Sequence, residues 1–316
     1  MELDIAHLTA FAAVVEEGSF DAAARRLHLT PSAVSQRIKA LESRMGQILV
    51  RRTKPAQATE AGHVLARLAG QISLLESEAL TELTGGRESA GLARQIPIAV
   101  NADSLATWFL PALAALGEHY SRLTFDIRQE DQDHSAALLR DGSVMAAVTA
   151  EPQVVQGCRT ERLGAMRYLA VASPALGVDP LPMITNTYQP HRSTSVHDHR
   201  KGADALGSIP MLVFNRKDAL QDRFAEMVTG SRQELPVTYL PSSRGFVEAA
   251  QLGLGWGMVP EQMARPALDD GSLVELVPGR HLDVPLFWQR WRLDSPALAA
   301  LTAAVQDAAA VALRSG

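Results

Sequence analysis

The sequence predicts an N-terminal all-α winged helix-turn-helix, one long linker helix, and a larger two-lobed α/β domain. Three observations carry this prediction. The first sixty residues hold short amphipathic helical patterns separated by capping residues and closed by a basic strand-turn-strand. A single helical stripe follows, from Thr59 to Thr84. From Ile96 onward, apolar strand patterns alternate with helical ones, as in an α/β fold with mainly parallel sheets. The 316 residues suffice for more than one domain. The expected boundaries are 1–58 for the winged module, 59–88 for the linker helix and 89–316 for the larger domain.

Between Leu3 and Val15, the residues Leu3, Ile5, Leu8, Phe11, Ala12 and Val15 fall at helical spacing. Gly18 breaks that helix, and Ser19 can cap a short alanine-rich second one, "DAAARRLHL". The third starts with Thr30 as N-cap and Pro31 in the first turn, and stops at Gly46. Its apolar face is Val34, Ile38, Leu41 and Met45, which leaves Ser32, Ser35, Gln36 and Lys39 off that face. Two short helices with a tight turn, the second exposing small polar and amide groups, make a helix-turn-helix. Serine and backbone N–H groups at a helix start grip phosphate, and Gln36 can pair with adenine in the major groove. "LVRRTKPAQAT" reads as a wing with a basic tip at Arg51, Arg52 and Lys54.

Charge supports this assignment. The chain carries −5 overall, yet eight cations face the lone Glu42 between Arg25 and Lys54. A basic module on an acidic body points to a polyanionic partner for the module alone.

The stretch "FAAVVEEGSFDAAARRLHLTPSAVSQRIKALESRMGQILVRR" resembles the winged helix-turn-helix of LysR-type transcriptional regulators. The resemblance implies that the helix from Pro31 to Arg44 enters the major groove of a double-stranded DNA operator. It also implies DNA contacts by Ser32, Ser35, Gln36, Lys39 and, from the wing, Arg52.

In the linker, Thr59 caps a helix whose stripe is Val64, Leu65, Leu68, Ile72, Leu75, Ala79 and Leu83. A stripe of that length often buries against a copy of itself. In the family this segment is the dimerising helix. The hinge-like "GGRESAG", Gly85 to Gly91, marks the domain boundary.

In the larger domain the strand candidates are "IPIAV", "LTFDIRQE", "VMAAVTA", "RYLAVAS", "MLVF", "VTYL", "WGMVP", "LVELV" and "PLFWQRW". Helices are expected at Ser104–Tyr120, Ser135–Arg140, Ala219–Val228, Phe246–Leu254 and Ala297–Leu313. Two such halves form a cleft where ligands meet strand ends and helix starts. Asp103 and Ser104 follow the first strand at the start of a helix. Two readings stay open for them: a helix cap, or a grip on a zwitterion or amine. Glu130 and Asp131, with Asp133, follow the second strand, and Thr149 ends the third. Carboxylates at neighbouring strand mouths favour a cationic ligand; loop carboxylates in an acidic domain are the plainer alternative.

"NADSLATWFLPAL", "DGSVMAAVT", "LGAMRYLAVAS", "GLGWGMVPE" and "VPLFWQRWRLDSPALAALTAAV" narrow the resemblance. They are similar to the lysine/arginine-export branch of the family, the LysG/ArgP type. The resemblance implies a periplasmic-binding-protein-like effector domain that senses L-lysine or L-arginine and controls an amino-acid exporter gene. It implies no cofactor besides that effector. It places Phe214 and Asn215, after a strand, and Ser242 and Ser243, before a helix, facing the cleft. The expected partners are the operator, further copies in a dimer and a tetramer, and RNA polymerase.

Other classes fit poorly. No phosphate loop, GxGxxG or nucleophile-elbow pattern is present, so no enzyme is expected. His191, His197 and His199 lie in an irregular stretch, 183–208, and lack the cysteine and the firm second pair of a zinc site. The one cysteine, the missing signal pattern and the lack of an 18-residue apolar run suggest a cytoplasmic protein without membrane contact. Two further readings remain: a LysR-type regulator of another small molecule, and an architectural DNA-binding protein without a working effector site.

Overall fold

The computed structural model describes residues 3–83, 94–117, 123–129, 135–177, 206–207, 209–231, 234 and 236–315. The three candidate histidines of stretch 183–208 lie outside these residues.

The chain begins with α1 (Ile5–Glu17), α2 (Phe20–Arg26) and α3 (Pro31–Met45). Ser19 accepts from Ala22 N and Thr30 from Ala33 N, each at the start of its helix. Asp4, which the apolar pattern overlooked, caps α1 through Ala6 N and His7 N. Gly18 and Gly46 end α1 and α3 at φ 62° and 67°, a conformation that costs glycine little. The three helices share one core of Leu8, Phe11, Val14, Ala23, Ala24, Val34, Ile38 and Leu41. Strands β1 (Val50–Arg51) and β2 (Gln57–Ala58) pair antiparallel as the wing.

The linker helix α4 (Glu60–Leu83) starts where Thr59 accepts from Gly62 N. Its apolar residues divide between two faces rather than forming one stripe. Gly62, Leu65, Ala69 and Leu74 are buried within the chain, while Val64, Leu75, Leu80 and Leu83 are exposed.

The α/β region continues with β3 (Arg94–Val100), α5 (Ala102–Thr107), α6 (Phe109–Gly117), β4 (Leu123–Gln129), α7 (Ser135–Asp141), β5 (Ala146–Thr149) and β6 (Cys158–Ala172). It goes on through β7 (Met211–Val213), α8 (Leu220–Thr229), β8 (Val237–Tyr239), α9 (Ser243–Gln251), β9 (Gly257–Pro260), α10 (Glu261–Asp269), β10 (Val274–Glu275), β11 (His281–Trp291) and α11 (Pro296–Ala312). Where one helix was expected from Ser104 to Tyr120, the described residues up to Gly117 form two, α5 and α6, broken at Trp108. Pro111 is the cause: it has no N–H to continue the ladder and is tolerated only in a first turn. The α10 helix was not anticipated, and β6 begins nine residues before the expected "RYLAVAS". The sheets are mixed rather than mainly parallel. β3 pairs parallel with β4 and β5, and β7 with β8; β6 runs antiparallel to β9 and β10, and β11 to β5.

The chain divides into two compact units. The first takes residues 1–101, 111–162 and 287–308; the second takes 102–110, 163–286 and 309–316. In the first, β4, β3, β5 and the end of β11 form a layer whose buried residues include Ile96, Ile98, Val148 and Trp288. In the second, α9 and α10 cover β6, β9 and β7 through Leu169, Val171, Leu212, Phe246, Ala250 and Val259. Strands β6 and β11 each contribute residues to both units.

Candidate functional site

The nucleic-acid face is built by α3. Val34, Ile38 and Leu41 anchor it in the core, which fixes the opposite side outward. Ser32, Gln36 and Lys39 are exposed there and Ser35 is half-buried, at the i, i+3, i+4, i+7 spacing of one helix face. The Ser32 hydroxyl lies 3.0 Å from that of Thr30, at the helix start. Glu42, the one acid in the basic stretch, does not dilute this face. Its carboxylate accepts from Leu49 N at 2.9 Å and Val50 N at 3.3 Å, tying the wing to α3. Not all the cations are available: Arg26 is held by Glu16 and Glu17. Arg52 remains exposed, with its guanidinium 4.8 Å above the Phe20 ring.

The second unit holds a polar cluster around Asp103. Asp103 is in the first turn of α5 rather than at a cap position, because the helix starts at Ala102. Its Oδ2 accepts from the Tyr168 hydroxyl at 2.7 Å. Burial pushes the Asp103 carboxyl above the usual carboxylate range; the nearby Ser243 hydroxyl and the Tyr168 hydrogen bond pull it back, and the negative charge of Asp218 pushes it up again. Burial, and then the Asp103 carboxylate, hold the Tyr168 phenol well above its ordinary value, so it stays a proton donor. Asp218 is fixed by accepting from Phe214 N at 3.1 Å and Leu220 N at 3.0 Å, at the start of α8.

This cluster unites two expected site residues, Asp103 and Ser243, with two that sequence reasoning missed, Tyr168 and Asp218. Tyr168 sits in an apolar strand, where a tyrosine reads as core. Asp218 closes the run "FNRKD", three residues beyond Asn215, where it looks like one more charge of a polar loop. Ser104 is fully buried. The Asn215 side-chain oxygen accepts from Lys217 N and Asp218 N, and Ser242 caps α9 through Gly245 N. Both thus shape the turns that carry Asp218 and Ser243; Phe214 is half-buried beside them in sequence. Thr149 belongs to the first unit, where it is buried and accepts from Glu151 N at 3.0 Å. Glu130 and Asp131 lie outside the described residues.

The chemistry of the cluster is acceptor-rich and negative. Asp103 accepts from one neutral donor, the Tyr168 hydroxyl, and feels a second carboxylate. A cation with several N–H donors, an ammonium or guanidinium, is its natural complement. Among the described residues, no three His, Cys, Asp or Glu side chains converge to hold a metal. No helix among them is long and apolar enough to cross a membrane.

Comparison with known proteins places these features together. Residues 5–63 match the family model "Bacterial regulatory helix-turn-helix protein, lysR family", and residues 89–310 match "LysR substrate binding domain". The chain is 51% identical to the HTH-type transcriptional regulator LysG of Mycobacterium tuberculosis, over 98% of this chain and 94% of that protein. The crystal structure of ArgP from Mycobacterium tuberculosis superposes with a TM-score of 0.82 at 48% identity, covering 100% of both chains. Full-length LysG from Corynebacterium glutamicum with bound effector Arg gives a TM-score of 0.73 at 40% identity, covering 99% of this chain and 100% of that one.

Proposed function

This chain belongs to the LysR family of bacterial transcriptional regulators, a family of DNA-binding proteins rather than enzymes, and from that premise we propose that it senses L-lysine or L-arginine and controls transcription of an amino-acid exporter gene. The observation that carries the proposal is the half-buried Asp103, donor-bonded by Tyr168 and close enough to Asp218 to feel its charge. Such a group is costly without a cationic partner and strongly favourable with one. The arginine bound to the Corynebacterium glutamicum relative is of the same chemical class.

On the DNA side, Ser32 and Ser35 meet phosphate, Gln36 and Lys39 meet base edges or phosphate, and Arg52 follows the backbone from the wing. Further copies of the chain cover the exposed Val64, Leu75 and Leu83 of α4, giving a dimer and then a tetramer. The effector acts by preferring one arrangement of these copies; a tenfold preference is worth about 1.4 kcal/mol per site. RNA polymerase reads the arrangement at the promoter.

Calorimetric titration of the full-length chain with L-arginine, L-lysine and L-glutamate tests the sensor assignment. Saturable heat is expected for a basic ligand only. Asp103→Asn should weaken it by about 30- to 150-fold, the equivalent of roughly 2–3 kcal/mol for a desolvated charge pair. Equal heats for the acidic and basic ligands, or an unaffected Asp103→Asn variant, would remove the assignment and leave the DNA-binding reading.

A further inference from the structure

The linker helix is fastened to the body of the first unit along one face. Arg67, Gly70, Leu74 and Glu78 lie at i, i+3, i+7 and i+11 on α4, which places them in one row. Arg67 Nη1 donates to Gln156 O at 3.3 Å. A side chain on Gly142 would meet the Arg67 backbone N at 2.6 Å, so the two segments touch main chain to main chain. Gly70 lies under the Trp291 ring, where a Cβ would come within 3.2 Å of it, and Leu74 is buried. At the far end of the row, Glu78 Oε1 accepts from the Ser295 hydroxyl at 2.7 Å and from Ala297 N at 3.1 Å.

That last contact differs from the others in kind. Ser295 precedes α11, and its oxygen also accepts from Leu298 N at 3.2 Å. The Glu78 carboxylate therefore completes the N-terminal cap of a 17-residue helix from a distant part of the chain. It gains charge-assisted hydrogen bonds and the favourable end of the helix dipole. Strand β11 contributes residues to the unit that holds Asp103 and ends at Trp291, four residues before Ser295. The unit that holds Asp103 is thus joined to the α11 start by a short stretch of continuous chain.

We propose that Glu78 is a positioning residue that locks α4 to the start of α11, so that the helix-turn-helix module is carried in an orientation set by the effector-sensing body. The regulatory part of this proposal rests on the basic-amino-acid reading above; the lock itself does not.

The test uses the full-length chain with Glu78→Ala, Glu78→Gln and Ser295→Ala substitutions and two readouts. Amide hydrogen exchange at Ala297, whose N–H donates to Glu78, reports the lock. Affinity for a DNA duplex enriched by the wild-type chain from a random pool, with and without saturating L-arginine, reports the coupling. Glu78→Ala should speed exchange on the order of tenfold and bring the L-arginine effect on DNA affinity to within about twofold of none. L-arginine affinity itself should hold to within about twofold, because Asp103 lies in the other unit. Glu78→Gln keeps an acceptor oxygen and should restore most of both readouts, which a loss of general stability would not predict. Ser295→Ala removes the hydroxyl that donates to Glu78 and caps Leu298 N but leaves the Ala297–Glu78 bond and α4, so its Ala297 exchange should fall between the two Glu78 variants, and it serves if Glu78→Ala does not fold. Unchanged exchange at Ala297 in Glu78→Ala, or a full L-arginine response in that variant, overturns the proposal. If the wild-type duplex affinity ignores both L-arginine and L-lysine, the sensor reading falls, and the exchange result alone decides the lock.

Discussion

Replacing Gly62 by alanine should destabilise the chain, although alanine is the better helix former. Gly62 is in the first turn of α4, against the wing. A Cβ there would lie 2.2 Å from Leu49 O and 3.1 Å from the Ala58 Cβ. A carbon–oxygen contact settles at about 3.3 Å or more, so helix and wing would have to part by roughly 1 Å. The obstructing carbonyl cannot step aside. Leu49 O accepts from Thr59 N at 2.9 Å, and Leu49 N is held by Glu42. Alanine gains up to about 1 kcal/mol over glycine in a helix, whereas overpacking costs about 1–3 kcal/mol. With backbone as the obstacle the cost takes the upper end, leaving a net loss of roughly 1–2 kcal/mol. Gly70→Ala is the control. Its new Cβ would meet the edge of the Trp291 ring at 3.2 Å and the Met145 Cε at 3.6 Å, side-chain contacts that call for a shift of only a few tenths of an ångström. The two effects should then cancel to within about 0.5 kcal/mol. Urea unfolding of the full-length chain, followed by far-ultraviolet circular dichroism, reads both variants. A Gly62→Ala midpoint at or above that of the wild type would refute the reasoning.

Three further outcomes follow from the same structure. Burial raises the Asp103 carboxyl above its unfolded value, so the folded state holds that proton more tightly and loses stability as pH rises through the raised pKa. Asp103→Asn should therefore raise the melting temperature of the ligand-free chain at pH 7, with the gain disappearing below about pH 4; a gain that grows in acid would contradict this. Lys39→Ala should weaken DNA binding across sequences and lower the salt dependence by about one unit of slope, measured by anisotropy titrations over a range of salt. Gln36→Ala should instead cost about 1–3 kcal/mol on selected duplexes and little on random ones, and an equal loss on both would reassign Gln36 to the backbone.

The sequence was most informative where local chemistry decides structure. Ser19, Thr30, Pro31 and Gly46 are capping residues by type, and each acts as such at the expected place. Strand positions were likewise visible as apolar runs, because a half-buried or buried strand leaves a strong pattern. Pairing direction was not visible: nothing within "LVELV" says that its neighbour runs the other way. The α4 stripe misled for a related reason. Periodicity shows that a helix has an apolar side but not what covers it, and here Leu65 and Leu74 turn inward while Val64 and Leu83 do not. In the polar cluster, Asp103 was legible as a polar residue at a strand exit. Tyr168 was not, because its hydroxyl matters only once β6 lies beside α5, 65 residues away in sequence. Asp218 was hidden by the same dependence on tertiary placement.

The most direct measurement of the central claim is an anisotropy titration of an enriched duplex by the full-length chain, with and without L-arginine, for the wild type and Asp103→Asn. The account predicts that L-arginine or L-lysine shifts the wild-type affinity by about tenfold or more, near 1.4 kcal/mol per site. It predicts that Asp103→Asn binds the duplex normally but does not respond at the same ligand concentration. A wild-type affinity indifferent to both amino acids, or a response retained in full by Asp103→Asn, would contradict it.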